Sequence, residues 1–571
     1  MIEELKDLIK KSATRAGISN PKVSLEHPED ISHGDFSTNI AMVHAKELKM
    51  NPKTLAEKIV EEMKKDSPEA VSAVDVAGPG FINIKIKDSF FAKEILNIGN
   101  EYGKSVEDKG KKIMVEYTDP NPFKIFHIGH LMSNAVGESI SRIVEFSGAD
   151  VVRANYYGDV GLHVAKTLWG VLQNKANFPK ESAVLLSRIE FLGDMYVLGS
   201  EKYESDTQAK QEIVEINKKI FEKTDKEINN FYDLGKKWSL EYFETIYKKL
   251  GTKFDYYFPE SEVAGEGIKA VEEFLEKGVF EKSEGAVIFP GEKHGLHTRV
   301  FINSQGLPTY ETKEIGLTKK KFEVEPKLAE SIVVTANEQN DYFKVLLKAL
   351  SLMYRDLASK TLHKSHGILR FASGKMSSRK GNIISAEDFI TDTEALVEEK
   401  IKDRKFTPEE HEDIKISVAI AAIKYSILRQ AIGSDIIYDK EKSVSFEGDS
   451  GPYLQYATVR AVNVLKKAEE EGIKGPIFFR KIKVPEQVTL LEKLLTRFPE
   501  VTSRARTEYA PHHIVTYLIE LASSFNAYYA NNQIVDKDNP LAPYRVELTR
   551  AFISVMKNGL WLLGIKVPGR M

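Results

Sequence analysis

Three short apolar runs, Met114-Val115, Val151-Val152 and Ile332-Val333-Val334, alternate with helical patterns in this chain. The first leads through a loop with Pro120 and Pro122 into helical spacing at Ile140, Ile143, Val144 and Phe146. The third is followed by Phe343, Leu346, Leu347 and Leu350, again at helical spacing. Apolar runs this short suit strands buried on both faces, and strand–helix–strand succession predicts a parallel sheet with crossover helices. The lysine- and glutamate-rich helical stretch between the two halves, about 172–250, reads as an insertion.

Elements on either side have a different texture. Before residue 106 the pattern is that of a small α/β domain. Ile2, Leu5, Leu8 and Ile9 repeat at helical spacing, a second helix is expected from about Thr38 to Leu48, and Asn51-Pro52 restarts the chain as a third. Ile82, Ile84 and Ile86 alternate on one strand face. The charged stretch Glu107 to Lys112 reads as a linker. Beyond Pro408 strand signals mostly vanish: Ile514, Leu518, Leu521, Phe525 and Tyr528 form one helical stripe, and Leu548, Phe552, Val555 and Met556 another. The expected division is therefore 1–106, 107–407 and a helical bundle over 408–571. A length of 571 residues accommodates it.

Composition narrows the chemistry. There is no cysteine, which excludes disulfides, thiolate nucleophiles and cysteine-held metals. Lys+Arg (81) and Asp+Glu (84) nearly cancel, so the chain is not a protein that coats nucleic acid by bulk charge. No apolar run reaches the roughly 18 residues of a membrane span. The start, MIEELKDLIKK, has no apolar run behind it, so a cytoplasmic protein without a membrane partner is expected.

Two motifs carry chemistry. His127-Ile128-Gly129-His130 stands between a strand and a helix start. Unpaired N–H groups and the positive end of the helix dipole favour phosphate there, glycine allows close approach, and two imidazoles supply further donors. With 13 His and 36 Gly in the chain, about 0.02 such motifs are expected by chance. The second motif is Gly374-Lys375-Met376-Ser377-Ser378-Arg379-Lys380-Gly381-Asn382, three cations between glycines, suited to gripping a polyphosphate. Either alone has a bland reading, as a helix start or a solvated basic loop.

As a pair, the motifs resemble the signatures of class I aminoacyl-tRNA synthetases, and the resemblance is greatest to the arginyl family. His33-Gly34-Asp35-Phe36-Ser37-Thr38-Asn39 and Ala77 to Asn83 resemble that family's N-terminal tRNA-contacting domain. Val115 to Asn121 leads into the histidines as it does there. Phe446-Glu447-Gly448, Pro452 to Ala457, Arg460 and the C-terminal Gly564 to Met571 resemble its anticodon-binding bundle.

The resemblance implies an ATP-dependent arginine–tRNA ligase with three parts: an N-terminal α/β domain, a Rossmann-like catalytic domain and an all-α bundle. ATP with Mg²⁺ would be held by His127, Gly129, His130 and Lys375 to Arg379, with catalysis by His127, His130, Lys124, Lys375 and Lys380. Arg379 stands where the family often has a second lysine, so the three lysines share that work. L-arginine would meet Glu116, Asn121, His127, Glu260, Tyr310, Glu314 and Gln339, the guanidinium falling to Glu260 and Glu314. Phe36, Asn39, Tyr453, Gln455, Tyr456 and Arg460 would face tRNA(Arg). The chain is expected to be a monomer with no metal site of its own, and to need tRNA before it activates arginine.

Four positions depart from the family pattern: Glu314 for an aspartate, Met132 for an arginine, Asp119 for a serine, and His163 in a divergent segment. Other readings left open are a nucleotidyltransferase for a small acid, a non-catalytic tRNA-binding relative, and a class I synthetase for lysine.

Overall fold

The structure, a computed structural model, describes residues 1–371, 384–473 and 482–571. The chain forms two compact units, one of residues 1–99, 464–496 and 528–551, the other of residues 100–463, 497–527 and 552–571. No helix among the described residues is long and apolar enough to cross a membrane.

In the first unit, an antiparallel sheet of three strands carries the alternating isoleucines. Phe81–Ile86 lies in the centre, between Phe36–Thr38 and Val71–Ala77. Ile82, Ile84 and Ile86 point into a core shared with Leu5, Leu8 and Ile9 of the helix Ile2–Arg15 and with Leu55 and Ile59 of Pro52–Asp66. Pro52 occupies the first turn of that helix and Asn51 accepts the Lys53 N–H, which explains the restart. The helix expected over Thr38–Leu48 is shorter, Ile40–His44, because Phe36–Thr38 is recruited as an edge strand.

The second unit is built on a five-stranded parallel sheet. In spatial order its strands are Thr361–His366, Leu328–Ala336, Lys112–Glu116, Asp150–Tyr157 and Tyr256–Pro259. Lys112–Glu116 comes first in the chain and sits in the middle. Later strands are added first on one side and then on the other, so the order reverses beside it. Ligands of such sheets bind at that reversal, beyond the carboxyl ends of the strands.

The insertion is three helices, Leu185–Ser205, Thr207–Glu222 and Lys226–Leu250. Asp206 and Asp225 cap the second and third by accepting backbone N–H groups, and Gly251 ends the third in the left-handed conformation. A small antiparallel sheet, Glu281–Ser283, Ala286–Phe289 and Arg299–Ile302, is added that the sequence pattern did not announce.

The helices after Pro408 follow the predicted stripes. Thr407 and Glu410 form a reciprocal capping box at the start of Pro408–Leu428. Ile514, Leu518, Leu521 and Phe525 are buried in His512–Asn531, and Phe525 stacks on Phe552 of Ala542–Leu562 at 4.0 Å.

The stretch expected as a linker is structural instead. Asp108 is 2% exposed and accepts from Arg506 (2.5 Å), Ser147 (2.6 Å) and Lys111 (2.8 Å). Burial alone would raise its pKa, but these donors hold it down at about 2. Composition suggested solvent; Lys111 is local, but Ser147 is 39 residues away and Arg506 is 398.

Candidate active site

At the end of the central strand the backbone turns through three residues with positive φ, Thr118 (+80°), Asp119 (+47°) and Phe123 (+68°). It then enters the helix Ile128–Phe146, with His127 as its N-cap. Nδ1 of His127 accepts the Gly129 N–H at 3.1 Å, and the His127 N–H donates to Nδ1 of His130 at 3.2 Å. Both Nδ1 atoms are thus acceptors, which puts each ring proton on Nε2. The rings stack with centroids 3.6 Å apart. Burial, aided by the nearby Lys124 charge, lowers His127 to about 4. Burial lowers His130 well below its ordinary value, with the charges at His127 and Lys124 adding to it. The motif therefore presents two neutral imidazoles, each with an Nε2–H to donate, at a helix N-terminus.

The basic signature Gly374–Asn382, with Lys375, Met376, Ser377, Ser378, Arg379 and Lys380, lies outside the described residues. The chain that follows it is tied to the histidine motif. Ile128 N–H donates to Ile384 O at 3.2 Å, and Ala386 N–H donates to Phe126 O at 2.8 Å.

Beside the histidines lies a buried acidic pocket. Glu116 ends the central strand and is 1% exposed. Nζ of Lys321, equally buried, lies 2.5 Å from its Oε2, off the line of a well-directed hydrogen bond. Glu314 and Lys321 stand seven residues apart on Tyr310–Val324, hence on one face. Burial, then the charge of Glu116, pushes Glu314 up to about 8. Burial and Glu116 likewise raise Asp119, which accepts the Tyr156 N–H at 2.9 Å. Glu260 opens the helix Glu260–Glu276, is 3% exposed and is hydrogen-bonded to Lys313. Four carboxyl groups thus meet two ammonium groups, with Glu314 and Asp119 held toward their neutral forms.

Asn121 and Glu260 converge over Gly158: a methyl there would stand 2.5 Å from Asn121 Oδ1 and 3.3 Å from Glu260 Oε1. The departing residue His163 supports this turn, its Nε2–H donating to Gly158 O at 2.8 Å. The neighbouring Asp159 is consumed structurally by Tyr232, Lys236 and Ser261. Tyr310 is exposed at the rim, with Lys313 Nζ 4.5 Å from its ring centroid. Gln339 is exposed at the turn after the strand Leu328–Ala336. Met132 is buried in the histidine helix.

Lys313 and Lys321, and Tyr156 and Tyr342, whose hydroxyls feel Glu260 and Glu314, were not anticipated. The seven-residue spacing of Glu314 and Lys321, one face of the helix Tyr310–Val324, is a local signal for Lys321 alone. Among the described residues no group of three or more His, Asp or Glu side chains is placed to hold a metal ion.

The expected tRNA contacts divide by exposure. Phe36 is 5% exposed, packed against His27, and Gln455 is fully buried with its amide donating to Lys566 O (2.6 Å) and Ser417 O (3.2 Å). Both are committed to packing in their own units. Asn39, Tyr453, Tyr456 and Arg460 are half-buried. Tyr453 accepts from Asn526, and Tyr456 meets Phe446 edge-on.

Comparison with known proteins bears on the whole chain. Residues 3–86 match the arginyl tRNA synthetase N terminal domain, residues 92–439 the class I (R) tRNA synthetase catalytic domain, and residues 454–571 the DALR anticodon binding domain. A protein of Parabacteroides distasonis named arginine–tRNA ligase is 31% identical, over 92% of this chain and 91% of its own. One of Borrelia turicatae with the same name is 30% identical over 99% and 97%. The arginyl-tRNA synthetase of Thermus thermophilus has the same fold, with TM-score 0.80 at 24% identity over the full length of both chains. That of Plasmodium falciparum gives 0.78 at 18%, over 100% of this chain and 99% of its own. With its catalytic region and both flanking domains matched in order, this chain belongs to the class I arginyl-tRNA synthetases.

Proposed function

We propose that this cleft is where the chain, acting as an arginine–tRNA ligase, joins L-arginine to ATP and passes the product to tRNA(Arg). The ATP-dependent ligase activity follows from family membership. The assignment of roles below is our reading of the geometry. The observation that supports it most is that the carboxyl end of one sheet bears both a neutral histidine pair at a helix N-terminus and a buried surplus of carboxyl groups.

The arginine carboxylate attacks the α-phosphorus of ATP, the bond to the β-phosphate oxygen breaks, and pyrophosphate leaves. Nε2–H of His127 and His130 donate to the phosphate oxygens as negative charge grows on them. Neutral rings suit this, since they keep their donors throughout the physiological range. Gly129 leaves the helix N-terminus open to the nucleotide. Lys124, and Lys375 and Lys380 with Met376, Ser377, Ser378 and Arg379, grip the leaving pyrophosphate. Mg²⁺ would enter as part of the ATP substrate and offset the charge of its phosphates.

Glu260 and Glu314 take the guanidinium, Tyr310 covers it at the rim, and Asn121 and Gln339 hold the α-amino and carboxylate end, with Glu116 behind. The 2′-hydroxyl of the terminal adenosine then attacks the acyl carbon and AMP leaves. The anhydride is already activated, so no side-chain nucleophile is required. Asn39 in one unit, and Tyr453, Tyr456 and Arg460 in the other, are proposed to contact tRNA(Arg). We propose a cytoplasmic monomer.

Arginine-dependent ATP–pyrophosphate exchange, run with and without tRNA(Arg), tests this reading. Exchange is expected only with tRNA. Full-speed exchange without tRNA overturns the tRNA requirement, and charging with another amino acid overturns the pocket.

A further inference from the structure

The segment Phe123-Lys124-Ile125, just before the histidines, is gripped by the helical insertion. Phe123 has φ +68°, a conformation that a bulky residue holds only where its surroundings over-determine it. Its N–H donates to Ser239 Oγ at 3.0 Å, and its ring stacks on Tyr232 with centroids 5.8 Å apart. The ring also fills space left by Gly235, where a methyl would lie 2.3 Å from it. Ile125 faces Gly193, where a methyl would come within 3.2 Å. One turn further along the same helix, Leu185–Ser205, the ring of Tyr196 faces Lys124, with Nζ 4.8 Å from the ring centroid. Both side chains are half-buried. The helix is itself held at close range: a methyl on Gly199 would meet Lys166 O at 2.0 Å, and one on Gly170 would meet Met195 O at 2.5 Å.

We propose that Tyr196 is a positioning residue for arginine activation, its ring holding the Lys124 ammonium where the nucleotide phosphates bind. This rests on reading Lys124 as a phosphate-facing cation. A lysine ammonium is a compact charge on a flexible four-carbon stem, and something must fix it. A carboxylate would do so but would compete with phosphate for the same charge. An aromatic face attracts the ammonium and leaves its charge and most of its N–H donors available. Among the described residues no carboxylate pairs with the Lys124 ammonium. The same charge helps to depress both histidines, so it lies within electrostatic reach of the atoms that face phosphate. The insertion then has a catalytic consequence, because it fixes a cation at the site.

The test is a double-mutant cycle in tRNA-supported ATP–pyrophosphate exchange, with thermal melts confirming that each variant folds. Tyr196→Leu is expected to lower kcat about five- to thirty-fold, with the KM for arginine little changed. Tyr196→Phe, which keeps the aromatic face, recovers most of the rate. Lys124→Gln lowers kcat as well, and adding Tyr196→Leu to it costs nothing more. Additive losses, a wild-type rate for Tyr196→Leu, or an effect confined to the KM for arginine would overturn the proposal. If Lys124→Gln alone runs at the wild-type rate, the reading of Lys124 fails first and takes the proposal with it; that outcome is distinguishable because it does not involve Tyr196.

Discussion

On the role proposed for Glu314, arginine binding should release a proton from that residue. In the empty pocket Glu314 sits at about 8 because it is buried beside Glu116. At pH 7 about one molecule in eleven has it ionised, from the tenfold change per pH step. A guanidinium docked on it favours the carboxylate, so binding expels about 0.9 proton per site at pH 7. Affinity for arginine should therefore rise about tenfold between pH 7 and pH 9, equivalent to ~1.4 kcal/mol, and then level off. Removing one partner of a buried charge pair costs about 2–5 kcal/mol, so Glu314→Gln should weaken binding by that amount at pH 9. At pH 7 the loss should be smaller by ~1.4 kcal/mol, because the wild type must first deprotonate. Titration calorimetry at pH 7 in two buffers of different ionisation enthalpy reads the proton count directly. Buffer-independent heats, together with an affinity flat from pH 6 to 9, would refute the reasoning, since the guanidinium would then not be meeting Glu314 as a carboxylate.

Other consequences can be checked separately. Replacing His130 by Ala should lower kcat for exchange a hundred-fold or more, ~2.7–4 kcal/mol, with little change in arginine affinity by calorimetry. Because His127 is lowered to about 4 and burial holds His130 well below its ordinary value, the pH–rate profile should show no histidine inflection between pH 5.5 and 7.5, the range in which a free imidazole would titrate. Gly158→Ala should raise the KM for arginine without lowering the melting temperature to the same degree, since the added methyl meets Asn121 and Glu260 rather than backbone. Asp108 is depressed to about 2, so its contribution is present above the unfolded value near 4 and lost as pH falls through 2. Asp108→Asn should cost about 2–3 kcal/mol at pH 7, with the gap from wild type closing toward pH 2 in thermal melts.

Much of the fold was legible because it rests on periodicity. The isoleucine alternation at 82–86 and the stripe from Ile514 to Phe525 became a strand and a buried helix face. Three-residue strands such as Glu281–Ser283 were not legible, being too short to show a period. Asp108 was misread for a different reason: a carboxylate looks solvated until its partners Arg506 and Ser147, distant in sequence, are brought to it. The histidine motif was legible as chemistry because a helix start and two imidazoles are local. The acidic pocket was only half legible. Glu314 and Glu260 came through resemblance, but the helix Tyr310–Val324 is buried almost all round, charges included, and no amphipathic stripe marks it. Gly316 and Gly267 make that burial possible. A methyl on the first would lie 2.1 Å from Val263 O and one on the second 2.0 Å from Thr312 O, so the two helices pack backbone to backbone.

That close packing bears on the choice between arginine and lysine, which composition and motifs left open. The pocket already contains two lysine ammonium groups, Lys313 on Glu260 and Lys321 on Glu116. A substrate ammonium would be a third compact, strongly hydrated charge, able to satisfy one carboxylate and dehydrated at high cost. A guanidinium is more weakly hydrated, flat enough to enter beneath Tyr310, and carries five donors that can reach two carboxylates at once. Glu260 and Glu314 are on separate helices, and on their proposed roles a forked cation suits such a pair better than a point charge does. Lysine should therefore bind at least a hundred-fold more weakly than arginine, ~2.7 kcal/mol, and Glu260→Gln should erode that ratio by weakening arginine far more than lysine. Competition of each amino acid against arginine in the exchange assay measures it. Equal erosion for the two amino acids would mean that Glu260 supplies only general negative potential, and the bridging geometry would have to be abandoned.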